Sequence, residues 1–152
     1  MLSLVYSNIN QRGDLVRTGS ANLDTDEGLQ TAVTISLLSD ARAQEADDID
    51  PNADKRGWWG ETFLDSPSEV GLGSRLWLLT RGKMTRESLL LSATYAREAL
   101  QWMIDDRIAS DVQATAERLA GRNDVGILTI KILRPRKTAP RFEGKWEVQF
   151  AL

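Results

Sequence analysis

Between Val125 and Leu133 the side chains alternate residue by residue. Leu128, Ile130 and Ile132 fall on one side of an extended chain, and Ile127, Thr129 and Lys131 fall on the other. A period of two in β-branched residues is strand chemistry, and one wholly apolar face obliges the segment to lie against a core. The alternation returns near the C-terminus, where Trp146, Val148 and Phe150 face one way and Lys145, Glu147 and Gln149 the other. Upstream, Ile108 to Glu117 has the Ala content of a helix. Ser110, Val112, Ala114 and Ala116 nevertheless alternate with Asp111, Gln113, Thr115 and Glu117, so the segment is read as strand. Gly121-Arg122-Asn123-Asp124 and the basic loop Arg134 to Arg141 supply the connections. The chain should therefore end in an antiparallel β-meander.

The earlier half has other periods. Leu2 to Tyr6 reads as a strand, Asn8 to Gly13 as a turn and Asp14 to Arg17 as a short return strand, which together predict an N-terminal hairpin. Asp24 and Glu27 have the spacing of a capping box, and Leu29, Val33, Ser36 and Leu37 recur at helical spacing, predicting a first helix from about Thr25 to Ala41. From Ala43 to Val70 periodicity disappears. Asp47, Asp48, Asp50, Pro51, Asn52 and Asp54 lead into Arg56-Gly57-Trp58-Trp59-Gly60, a long acidic loop with an aromatic anchor. Loops of this length inside a compact domain tend to be functional. Gly73-Ser74 can cap a short helix carrying Leu76 to Leu79, and Thr85 a longer one. In the longer helix Leu89, Ala93, Ala96, Leu100 and Met103 make one stripe and Tyr95, Ala99 and Trp102 a second, the pattern of a sandwiched or interfacial helix. The expected architecture is α+β: an N-terminal hairpin, two main helices joined by the acidic Trp-containing loop, and the meander, in one domain spanning 1–152.

Composition excludes much chemistry. The chain has no Cys and no His, which removes disulfides, thiolate nucleophiles, Cys-built zinc sites and the commonest general base. No apolar run reaches bilayer-spanning length and the N-terminus lacks signal-peptide features, so the protein is expected to stay in the cytosol where it is made, without a membrane partner. A sequence pI near 5.1 argues against nucleic acid. The net charge of −3 conceals five basic against thirteen acidic side chains in residues 1–69 and fourteen against nine in 70–152. A charge dipole suited to docking and a simple interleaving of the halves are both consistent with this.

Three local patterns could carry chemistry. Asp48-x-Asp50-x-Asn52-x-Asp54 has oxygen ligands at calcium-loop spacing, but Ala53 stands where Gly is needed and Trp59 where a bidentate Glu is needed. A solvated acidic loop is the better reading. Asp105 and Asp106 are paired carboxylates, the minimum for glycoside hydrolysis, but their adjacency suits a helix-terminal turn better than two faces of a cleft. Trp58 and Trp59 could stack on a base or sugar, yet no basic cluster surrounds them, so they are read as a loop anchor on the core or on a partner. No cofactor is expected.

The order Asp24-x-x-Glu27-Gly28-Leu29-x-Thr31-Ala32-Val33, Arg56-Gly57-Trp58-Trp59-Gly60, Gly73-Ser74-Arg75-Leu76-Trp77-Leu78-Leu79 and Tyr95-Ala96-x-Glu98-Ala99-Leu100-x-Trp102 resembles the small tail protein of Mu-like phages and prophages. That family is similar to the small baseplate-wedge protein of T-even phages, sometimes labelled lysozyme-like, and to its type VI secretion counterpart. Those relatives carry Glu-Pro-Arg after the long helix; here Asp105-Asp106-Arg107 keeps an acid and the Arg and lacks the Pro. The resemblance implies a non-enzymatic virion subunit, present in multiple copies in a symmetric assembly. It would pack on large wedge proteins and help to initiate the tail sheath, its terminal strands meeting sheath subunits. On that basis Trp58, Trp59, Arg75, Trp77, Asp105, Arg107, Trp146 and Val148 are the candidate partner-binding residues, with no catalytic residue and no metal. Arg107 is expected to grip an acidic group, and Trp58, Trp59 and Trp77 to be buried in the fold or in the assembly. A peptidoglycan glycosidase and a soluble regulatory binding module are the competing readings.

Overall fold

The computed structural model describes residues 4–7, 12–15, 29–63, 71–121, 125–133 and 140–149. Strands β1 (Leu4–Ser7) and β2 (Arg12–Leu15) pair antiparallel in the expected hairpin. Helix α1 (Leu29–Leu38) follows, and Leu29, Val33, Ser36 and Leu37 are all buried, as their spacing requires. The Asp24–Glu27 capping pair lies outside the described residues. The helix stops at Leu38 and not at Ala41, because the chain bends there to meet the segment at Ser74. The Ser74 amide donates to Ser39 O and the Ala41 amide to Ser74 O, each at 2.9 Å. The Ser74 hydroxyl donates to Leu37 O at 2.6 Å, satisfying one of the carbonyls that a helix end leaves open.

The acidic loop runs without regular structure to a 3-10 turn at Trp59–Phe63. A 3-10 helix then occupies Leu76–Arg81. Ser74 was expected to cap it, but its hydroxyl receives the Leu76 amide only at 3.4 Å and is committed mainly to α1. Thr85 does cap helix α2 (Arg86–Ala99): its hydroxyl accepts from the Ser88 amide at 3.1 Å, while Ser88 Oγ accepts from the Thr85 amide at 2.8 Å. The expected long helix is interrupted at Leu100, whose amide turns back to Arg97 and Glu98, and resumes as α3 (Trp102–Asp105). At about 100° per residue the two apolar stripes abut as one broad face. Tyr95, Ala96, Ala99, Leu100 and Met103 from that face are buried, whereas Leu90 on the far side is 63% exposed.

The chain ends in the meander β3 (Asp111–Arg118), β4 (Val125–Leu133) and β5 (Pro140–Gln149), antiparallel in that order. Strand β3 begins later than Ile108 because the Ile108 and Ala109 amides both donate to Met103 O, closing the helix first. Leu128, Ile130 and Ile132 are at most 1% exposed, and with Val112 they receive the helices. Burying each such side chain contributes about 1.5–3 kcal/mol. Helix α2 lies against β3 and β4, and α1 against α2.

Gly73 is the tightest passage in this arrangement. Its φ is +115°, and a Cβ placed there would sit 2.6 Å from Ser39 O and 2.9 Å from Ala41 N. Gly73→Ala should destabilise the protein by at least about 2 kcal/mol, combining a disallowed φ with a backbone clash. Chemical denaturation measures this directly, and an unchanged midpoint would refute the close approach.

Candidate functional site

The acidic loop has almost no apolar core of its own, so its position depends on polar contacts. The Ala43 amide donates to Lys55 O at 2.9 Å and draws the two ends of the loop together. Within it, Asp50 accepts from the Asn52 amide and Asp54 from the Arg56 amide, both at 2.8 Å, as Asp side chains do in tight turns. These contacts account for two acids of the calcium-like pattern. Among the described residues no group of three or more His, Cys, Asp or Glu is placed to hold a metal.

Asp47 has a different task. Its side chain is 5% exposed and faces Arg75, itself 11% exposed, with Arg75 Nη1 at 2.7 Å from Asp47 Oδ1. The second guanidinium nitrogen bonds Glu98, and the Arg75 plane lies 4.4 Å over the Tyr95 ring. Asp47 Oδ2 accepts from the Gln44 amide at 2.7 Å. One arginine thus ties the acidic loop to α2. Tyr95 and Glu98 stand three residues apart on one helix face, the spacing at which both can reach the same guanidinium. Burial works to lower the Arg75 pKa, but the hydrogen bond and charge of Glu98, with the charge of Asp47, outweigh it and hold the guanidinium above its ordinary range. Burial, reinforced by the charge of Asp47, raises the Tyr95 hydroxyl above the usual tyrosine value, with Arg75 pulling the other way.

A second arginine repeats the theme nearer the surface. Arg56 Nη1 lies 2.6 Å from Asp40 Oδ2, and its guanidinium stacks 4.4 Å over the Trp77 ring. The Trp77 indole donates to Ala41 O at 2.9 Å. Both ions of this pair are more than a third exposed, so it is worth at most about 1 kcal/mol.

Trp77, 5% exposed, meets the expectation of burial within the fold. Trp58 and Trp59 do not: they are 38% and 73% exposed, so any fuller burial must come from a partner. The Trp58 ring lies across Gly60, where any Cβ would come within 2.4 Å of three ring carbons. Asp105 is exposed and accepts from the Gln101 side-chain amide at 3.1 Å. Arg107 is exposed with φ +60°, and its amide donates to Ile104 O while the Ile108 amide donates to Met103 O, both at 2.9 Å. This pair of bonds is the Schellman motif, whose αL position is usually Gly. No acid among the described residues forms an ion pair with Arg107. On β5, Trp146 stands opposite Leu128 and Val148 opposite Gly126, while the surroundings of both side chains lie outside the described residues.

Of the eight candidates, Arg75 is drawn into a cluster with Asp47, Tyr95 and Glu98, and Trp77 into a second one with Asp40 and Arg56. Tyr95 and Glu98 carried a signal in their helical spacing. Asp47 carried none that set it apart from the acids around it.

A helix laid on an antiparallel meander, a second helix packed on the first, and a long polar loop tied to them by a largely buried arginine define a small α+β module. Residues 29–139 match the family described as Phage protein GP46, and the chain belongs to that family. It is 42% identical over 119 residues to the baseplate protein gp46 of Escherichia phage Mu, covering 78% of this chain and 77% of that protein. It is 36% identical over 124 residues to the Mu-like prophage FluMu protein gp46 of Haemophilus influenzae, covering 82% and 79%.

Arg75→Met should cost roughly 3–5 kcal/mol, because it leaves the Asp47 carboxylate buried without its cation. Arg75→Lys should recover only part of this, since one ammonium cannot serve two carboxylates and a ring as the planar fork does. A parent-like denaturation midpoint for Arg75→Met would refute the role given to the Arg75 cluster.

The chain has two tyrosines, Tyr6 and Tyr95, so ultraviolet difference absorbance can follow each phenol. Tyr95 should titrate late and be missing from the profile of Tyr95→Phe. Its folded pKa lies above the unfolded value of about 10, so the linked stability is full below that pH and is lost as pH rises through the folded pKa. The alkaline fall in stability should therefore be shallower in Tyr95→Phe.

Proposed function

We propose that this chain is a structural subunit of a contractile phage-tail baseplate, located in the virion tail after assembly in the host cytoplasm and having no catalytic role. The observation that carries the reading is its identity, over more than three quarters of both chains, with a relative named as a baseplate protein. The geometry is in keeping with it. The deeply placed carboxylate Asp47 is committed to Arg75, and the adjacent Asp105 and Asp106 are both exposed at a helix end, a poor arrangement for the opposed carboxylates of a glycosidase.

The finer part of the proposal is that the subunit packs on the large wedge proteins, in several copies, and helps to start the sheath. Two surfaces suit those contacts. Strand β5 ends the order of the described sheet, so its outer edge can take a strand from a sheath subunit through main-chain bonds. Arg107 projects from a turn that fixes its backbone, where its fork can grip an acidic group on a neighbour. Nucleic acid and membrane have no place in this scheme, and no helix among the described residues is long and apolar enough to cross a bilayer.

The chain should co-purify with assembled tail particles in fixed proportion; its absence from them would refute the proposal. Arg107→Gly separates turn from side chain. Glycine relieves the positive φ, so stability should rise by about 1 kcal/mol and the melting temperature by roughly 2–4 °C. Incorporation into particles should nevertheless fall, and Arg107→Lys should also incorporate poorly. If Arg107→Gly assembles like the parent, the residue serves the turn alone.

A further inference from the structure

The acidic loop ends in three aromatic residues that are exposed at the surface. Trp58, Trp59 and Phe63 are 38%, 73% and 76% exposed. The Trp58 and Trp59 ring centroids are 5.6 Å apart, and Phe63 meets Trp59 edge-on at 5.9 Å. Together they present on the order of 400 Å² of ring surface, as large as the biggest apolar patch of a typical monomer, and such patches are often functional. Gly60 seats the Trp58 ring against the backbone, so the rings form a supported platform.

Between Ala43 and Phe63 the chain is mainly acidic, with six acids against two bases, Lys55 and Arg56. Two acids with cations are Asp40, held by Arg56, and Asp47, held by Arg75. Glu45, Asp48, Asp50 and Asp54 are exposed and pair with no cation among the described residues. Asp54 is four residues from Trp58, at most about 14 Å along the chain. The faces of indole rings attract cations, and neighbouring carboxylates add to that attraction. The same carboxylates repel the phosphates of nucleic acids and of anionic lipids.

We infer that the Trp58–Trp59–Phe63 platform docks a basic segment of another baseplate protein, its Arg or Lys side chains stacked on the indoles and their charge answered by Asp48, Asp50 and Asp54. This inference rests on the baseplate reading and names the chemistry of one partner.

The test places p-benzoylphenylalanine at position 63, purifies assembled tail particles, irradiates them and identifies the attached peptide by mass spectrometry. The expected product is a net-basic peptide of a different particle protein, with Arg or Lys within a few residues of the attachment point. A companion variant, Asp48→Asn/Asp50→Asn/Asp54→Asn, which keeps the acceptor oxygens of the loop turns and removes their charge, should keep the parent's circular dichroism and lose incorporation roughly tenfold or more, through lost charge attraction. Trp59→Ser, altering a mostly exposed ring, should keep the melting temperature within a few degrees and also incorporate poorly. Attachment to an acidic or neutral segment, to a second copy of this chain or to nucleic acid would overturn the inference. So would particles that contain the chain and yield no cross-link, and in that case the baseplate reading stands. Absence of the chain from particles removes the baseplate reading and this inference together.

Discussion

A guanidinium almost withdrawn from water, held by Asp47 and Glu98 and laid on the Tyr95 ring, joins the aperiodic part of this chain to its helical part. Removing ions from water is costly, so such a contact persists only when every partner is in place. Asp47 must come from the loop, Arg75 from the start of the 3-10 helix, and Tyr95 and Glu98 from α2. Three segments distant in sequence are therefore fixed by one side chain, and the loop gains a position that its composition could not give it through apolar burial. Charge and ring contacts stand in for a hydrophobic core where Asp, Asn and Pro leave none.

The residues just before Arg75 make that geometry reachable. Gly73 passes so close to Ser39 and Ala41 that no side chain fits, and Ser74 then exchanges two backbone bonds with the end of α1 and closes Leu37 O with its hydroxyl. Once this crossing is set, Trp77 falls beneath Arg56 and donates to Ala41 O. The two arginine stacks are thus neighbours in the logic of the fold: one chain crossing orients both. Helix α1 is shortened by the same crossing, because its last turn is given over to the contact with Ser74.

On the proposed assembly role, this internal spending of polar groups has a purpose. A subunit held between larger neighbours has to present stiff surfaces, since any ordering left until docking subtracts from affinity. The helix-ending turn at Arg107, the outer edge of β5 and the aromatic platform sit on different elements, which would let one small module meet several partners at once. The Trp58 ring against Gly60 and the αL geometry at Arg107 are local constraints that prepare such surfaces before any partner arrives.

The sequence by itself determined the meander, the hairpin, the existence of both helices and the Thr85 cap. Each follows from short-range rules: alternation in Leu128, Ile130 and Ile132, helical spacing in Leu29, Val33, Ser36 and Leu37, and the hydroxyl at the start of α2. The resemblance carried by the Arg-Gly-Trp-Trp-Gly and Gly-Ser-Arg-Leu-Trp segments marked Arg75 and Trp77 without giving their partners. Tertiary structure alone decided that Asp47, among several acids of one loop, is the buried counter-ion, because nothing local distinguishes it. It also decided that the long helix breaks at Leu100, that α1 ends before Ala41, and that Trp77 goes inside while Trp59 stays out. Helical and strand periodicity report which face of an element is apolar. Which loop acid meets which arginine depends on where distant backbones cross, and here the crossing at Gly73 and Ser74 sets it.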